Sequence, residues 1–216
     1  MRSLLRGMSL LLLSLVSLSF PASAQNEVKE IGISVGLNLA DFHGADANGA
    51  DTRTGFQGGG FISFPLSHYL AIQFGVGYSQ QGAKVDVGGG TSGTFQLNYV
   101  QLPLFLKLSS PLASNRSLRP HIYMGPVIGI KTGCKLKVAG GGVPTTEFQC
   151  DDPNLQVKTK SSDIALALGI GLDIGAISVG VRYQLGLTKI EDSSQPADIK
   201  NRVLAIMAGY RFRLGR

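Results

Sequence analysis

The chain has 216 residues, 29 of them Gly, no Trp, 16% charged residues and a formal net charge of +6. That length is one domain's worth of chain. The mild positive charge does not point to nucleic acid, and two cysteines with no His between or beside them do not point to a metal site.

Residues 1–24 read as a secretory signal peptide. Arg2 and Arg6 are the basic start, 10–20 is the apolar stretch, and Ala22-Ser23-Ala24 is a small-x-small cleavage site. The apolar run is too short to span a bilayer. The mature domain is then 25–216, and losing Arg2 and Arg6 takes its charge from +6 to +4. An exported chain rarely meets nucleic acid.

The mature chain opens with a polar lead-in and then alternates. In 29–40, Ile31, Ile33, Val35, Leu37 and Leu39 share one face, and Gly32, Ser34, Gly36 and Asn38 the other. Successive side chains of a strand point to opposite faces, so this is a strand. A loop rich in Asp, Gly and Asn is expected at 41–54. A second strand is expected at 55–66, carrying Phe56, Ile62 and Phe64, and a short turn at 65–68. The third strand, 69–81, carries Leu70, Ile72, Phe74, Val76 and Tyr78, and 82–93 reads as a Gly-rich loop.

In 94–108 the apolar phase slips. Phe95, Leu97 and Tyr99 are odd-numbered, while Val100, Leu102, Leu104 and Leu106 are even. A bulge near Tyr99–Val100 is the expected remedy, and Pro103 lacks a ladder donor. A polar turn follows at 109–118. The strand 119–131 puts Ile122, Met124, Ile128 and Ile130 on one face and His121, Tyr123 and Lys131 on the other. The longest loop is expected at 132–160, and it holds Cys134 and Cys150. In an oxidising compartment these two form one disulfide, worth about 3 kcal/mol for a loop of ~15 residues.

The clearest stretch is 163–188. Ile164, Leu166, Leu168, Ile170, Leu172 and Ile174 alternate with Asp163, Ala165, Ala167, Gly169, Gly171 and Asp173. After Gly175 the alternation resumes in Ile177, Val179, Val181, Tyr183 and Leu185. Asp173 and glycines that each cost about 1 kcal/mol in a helix weigh against a membrane helix, and the period of two decides for strands. A polar loop is expected at 189–200, and a last strand at 201–213 shows Leu204, Ile206, Ala208, Tyr210 and Phe212 on one face.

The bulky face is continuous and apolar, and the other is small, Gly-rich and polar. A soluble lipocalin-like barrel puts bulky residues inside and charge outside. A membrane barrel does the reverse. The connections alternate long and short. The expected fold is all-β: an eight-stranded antiparallel up-and-down transmembrane β-barrel with long outer loops and short periplasmic turns. Both termini then face the periplasm, and Tyr210 and Phe212 sit in an aromatic belt.

The inward phase gathers the charged lumen candidates Lys107, His121, Lys131, Asp163, Asp173, Arg182 and Arg211. Buried charges must pair or be solvated. Lys107, Asp173 and Arg211 fall near one set of strand ends, and Lys131 and Asp163 near the other. Lys135, Lys137, Lys158 and Lys160 flank the cysteines and are candidates for lipopolysaccharide or partner contact. Asp41, His43, Ser92 and Ser161 are loop residues of types that catalyse lipid chemistry, but no Gly-x-Ser-x-Gly elbow accompanies them. His68 and His121 have no paired ligands, so neither metal nor cofactor is implied.

Several segments resemble, in order, the porin-family, PorT-like outer-membrane β-barrel domain of Bacteroidetes. They include 31–42, 70–83, 97–108, 119–130, 168–175, 181–190 and 207–212. The Tyr-x-x-x-Pro-Leu-x-x-Lys run from Tyr99 to Lys107 and the Gly125-Pro126 step are the most telling. The resemblance implies an outer-membrane location, eight strands and little chemistry. It implies as partners outer-membrane lipid, lipopolysaccharide and, during insertion, the outer-membrane assembly machinery. The expected role is non-enzymatic: structural support or binding in the cell envelope, with the loops as interaction surface. The alternatives are a small, weakly anion-preferring pore and a lipid-modifying enzyme.

Overall fold

The computed structural model describes residues 29–47, 49–88, 91–110, 118–140, 143–150, 159–192 and 197–214. The signal-peptide assignment to 1–24 and the contact candidate Lys158 therefore lie outside the described residues.

Among the described residues the chain forms ten strands: β1 (Lys29–His43), β2 (Ala50–Pro65), β3 (Leu70–Gln81), β4 (Ala83–Gly88), β5 (Thr91–Ser109), β6 (Leu118–Gly140), β7 (Val143–Gln149), β8 (Ser162–Ile174), β9 (Ile177–Gly186) and β10 (Lys200–Leu214). All pairings are antiparallel. Eight of the strands close a ring in the order β1-β2-β3-β5-β6-β8-β9-β10, and β10 returns to β1 with Ile33 opposite Tyr210 and Leu39 opposite Leu204. Closure leaves these strands without edges, which is what a sheet needs in lipid.

The bulky face points out. Ile33, Val35, Leu37, Ile128, Ile170 and Ile206 are exposed, whereas Asn38, Ala165, Ala167, Ala205 and Gln101 are buried. On β10 the outward apolar run extends from Leu204 to Leu214. That is about 33 Å of strand, or a band about 25 Å tall at a tilt of ~40°, the height of an outer-membrane hydrocarbon belt.

Two expected loops prove to hold strands. The Gly-rich segment 82–93 contains β4, which pairs with both β2 and β5. Gly82 makes the corner between β3 and β4 at φ +119°, where a Cβ would meet the Phe95 carbonyl oxygen at 2.1 Å. The segment 132–160 contains the upper part of β6 and all of β7, paired as a hairpin that includes Leu136 opposite Phe148. The first long connection shrinks too, since β1 runs to His43 and β2 starts at Ala50.

The phase slip near Tyr99 has a different origin from the bulge expected in that strand. The β5 register against β3 runs unshifted through Tyr99 and Val100. The register shift lies between β5 and β6: Asn98 faces Gly133 and Tyr99 faces Lys131, so the extra residue is Thr132. Odd-numbered residues of β5 stay inside throughout. Below Val100 the apolar residues are the outward Leu102, Leu104, Leu106 and Leu108; above it they are the inward Leu97 and Tyr99, both buried. The wall thus changes from apolar-out to apolar-in as it passes from lipid into water.

Candidate functional site

The site is the barrel interior and its two ends. Small inward residues make room for a few large ones. Tyr123 packs over Gly169, Phe61 over Gly32, and the rings of Phe105 and Tyr123 lie 5.0 Å apart.

At the short-turn end Asp173 is the hub. Its carboxylate lies 3.1 Å from Lys107 Nζ, 3.1 Å from Arg211 Nη1 and 3.3 Å from His121 Nδ1. Arg211 also meets Glu30 at 3.3 Å and donates to the Gly175 carbonyl at 2.7 Å. Lys107, Asp173 and Arg211, placed near one another by strand phase, are thus in contact. Glu30 belonged to the polar lead-in in the sequence, yet it lies one step from Ile31 on the inward phase. At mid-height Arg182 donates to Gln57 Oε1 and lies 5.8 Å from the centre of the Phe105 ring. A cavity of about 100 Å³ sits there, lined by glycines of β2 and β3. It has room for roughly three waters, which suits the unpartnered buried Gln57 Nε2 and Arg182 Nε.

Toward the long-loop end the polar layer is Asp163, Asn201 and Tyr99. Asn201 Nδ2 donates to Asp163 Oδ2 at 3.2 Å and to the Tyr99 hydroxyl at 3.3 Å. Lys131 turns instead to Thr159, donating to its carbonyl at 2.9 Å and its hydroxyl at 2.5 Å. Arg53 donates to the Gln81 carbonyl at 2.9 Å. Above these groups Leu97, Tyr99, Cys134 and Cys150 form a buried apolar cluster, against which Phe42, Phe95 and Ile190 pack. Cys134 and Cys150 are joined as a disulfide with Cα atoms 5.4 Å apart. This cap was not visible in the sequence, because its residues come from one strand, 94–108, and three separate expected loops, 41–54, 132–160 and 189–200.

Outside the cap stands the β6–β7 hairpin. Glu147 there meets Lys137 at 2.5 Å and Lys135 at 3.4 Å, and these two lysines hold its carboxyl below the usual carboxylate range. Lys160 follows Cys150 in the chain, and its backbone N donates to the Ile190 carbonyl at 2.8 Å. Of the residues weighed for catalysis, Asp41, His43 and Ser92 have side-chain partners, and Ser161 is held through its backbone carbonyl. Arg202 grips both carboxylate oxygens of Asp41 at 2.7 Å, His43 Nε2 lies 3.1 Å from the Gly186 carbonyl, and the Ser92 hydroxyl donates to the Ala139 carbonyl at 3.4 Å. Lys131 N donates to the Ser161 carbonyl.

A closed ring with an apolar belt outside and a salt-bridged interior defines an outer-membrane β-barrel. The chain belongs to the outer membrane protein beta-barrel domain family, whose model matches residues 23–192. That membership places it in the outer membrane. The narrower PorT-like assignment is not made by this match.

Among solved structures the chain is similar to the attachment invasion locus protein Ail of Yersinia pestis, at 17% identity over 86% of this chain and 100% of that one, with a TM-score of 0.41. It is also similar to Neisserial surface protein A, at 12% identity over 84% and 97% of the two chains, with a TM-score of 0.46. OprG of Pseudomonas aeruginosa gives 13% identity, 87% and 97% coverage, and a TM-score of 0.44. No curated protein matches the sequence.

Proposed function

We propose that this is a non-enzymatic barrel of the cell envelope whose lumen is plugged and whose long-loop end is an interaction surface. The observation that carries the reading is the contrast between the two parts. The lumen is crossed by buried pairs and closed by the Leu97–Tyr99–Cys134–Cys150 cluster. The hairpin beyond it leaves Thr145–Gln149 exposed while the disulfide pins its base. A pinned surface loses less freedom on binding.

In this reading residues 1–24 direct export and are removed. The long connections face outward and the short turns face the periplasm. The ordered segments 97–108 and 119–130 support the PorT-like branch of the family. Lys135 and Lys137 share one carboxylate, which leaves the hairpin with surplus positive charge for lipopolysaccharide phosphates. In sequence Lys158 and Lys160 follow the second cysteine and add two further positive charges. The assembly machinery is a partner during insertion.

The test is binding of purified lipopolysaccharide to the refolded chain. Lys135→Gln with Lys137→Gln is expected to weaken it several-fold, more so at low salt. Equal binding by the double variant overturns the surface assignment. The mid-height cavity beside Arg182 favours one second reading, a narrow path for anions.

A further inference from the structure

We propose that the short-turn end of the barrel is a binding site for a phosphate-type oxyanion, anchored by Arg119. This site is separate from the long-loop surface and does not depend on it.

A cavity of about 700 Å³ opens at the short-turn end. Its wall holds four cationic side chains, Lys107, Arg119, Arg211 and Arg213, against two carboxylates, Glu30 and Asp173. Both carboxylates already have cationic neighbours. Asp173 Oδ2 meets Lys107 and Arg211, while its Oδ1 lies 3.3 Å from His121 Nδ1 without a hydrogen bond. Glu30 is shared between Arg211 at 3.3 Å and Arg213 at 3.5 Å.

Arg119 stands directly opposite Asp173 in the β6–β8 register. Even so, its Nε is buried with no hydrogen-bond partner among the described residues. No ion pair among the described residues includes it. The sequence of the short turns, 65–69, 109–118 and 174–177, offers no Asp or Glu. A cation held in a partly dewatered recess needs an acceptor.

The guanidinium is a planar fork of donors that matches phosphate oxygens two at a time. A cavity of this size falls within the range of small-molecule sites. The required chemistry is a phosphate group, which a soluble anion and a lipid headgroup both present.

The experiment uses the chain without residues 1–24, refolded into phosphatidylcholine vesicles. Amide NMR shifts are followed as inorganic phosphate is added, with chloride at equal ionic strength as control. Saturable shifts confined to the short-turn end are expected, and Arg119→Gln is expected to weaken them about tenfold or more. Lys84→Gln, on an exposed position of β4 at the other end, leaves them unchanged. A second arm replaces part of the lipid by phosphatidic acid. Arg119-dependent shifts in that arm alone assign the phosphate to a lipid headgroup. If Arg119→Gln does not fold, Arg119→Lys keeps the charge and loses the fork, and weaker binding is expected. Binding by Arg119→Lys equal to wild type overturns the proposal, as does the absence of saturable Arg119-dependent shifts in both arms.

Discussion

Tyr123 lies directly over Gly169. A Cβ added at residue 169 would sit 2.2 Å from the Tyr123 ring. The glycine is on β8 and the ring comes from the paired residue of β6. Small inward positions on one strand thus receive the bulk of the next, which is how a narrow barrel fills its lumen. Gly169→Ala is expected to destabilise the barrel by about 1–3 kcal/mol through overpacking. Tyr123→Ala in the same background is expected to recover part of that loss. Urea unfolding in vesicles measures both.

Asp173 is expected to be the most sensitive charged position. In Asp173→Asn, Lys107 and Arg211 remain buried with their shared counterion gone. Breaking a buried pair from one side costs about 3–5 kcal/mol. Lys107→Met is expected to cost less, because Asp173 keeps Arg211 and His121. The two unfolding midpoints should fall in that order.

The disulfide is expected to secure the long-loop end. Cys150→Ser releases the base of the hairpin across a separation of 16 residues, for which chain entropy gives about 3 kcal/mol. The loss should be local. Protease cleavage within 138–150 should accelerate while the lipid-embedded strands stay protected.

The hairpin also carries a pH dependence. Glu147 is held below the usual carboxylate range, first by the hydrogen bond from Lys137 and then by that lysine's charge. A depressed carboxyl contributes stability above its unfolded pKa and loses it as pH falls through the folded one. The Glu147 contacts are therefore expected to persist just below the ordinary glutamate range and to break in stronger acid. Because both partners face water, salt should weaken the effect. The Glu147 carboxyl carbon shift, followed by NMR from neutral to acidic pH, reads this directly. Lys137→Met should move the midpoint up.

The lipid-facing wall was legible because lipid imposes one rule on all eight strands. Ile164 to Ile174 and Ile31 to Leu39 alternate without interruption, and the ring follows. The same parity put Lys107, Asp173, Arg182 and Arg211 on the inward face, where they are buried. Beyond the membrane that rule ends. Thr145, Thr146, Glu147, Phe148 and Gln149 are all exposed, so this run of β7 has no buried face to leave a period in the sequence. The slip at Tyr99 was visible, but its meaning lay in the partner strand, where Thr132 is the extra residue. Leu97 and Tyr99 keep their phase and change their solvent. Partners such as Asn201 for Asp163 and Thr159 for Lys131 depend on ring closure, which alternation along one strand does not encode.

Single-channel conductance of the refolded chain in a planar bilayer distinguishes a plugged barrel from an open one. No steady current is expected from protein shown by circular dichroism to be folded. A steady, salt-dependent current that changes in Arg182→Ala would contradict the plugged barrel and establish a conducting lumen.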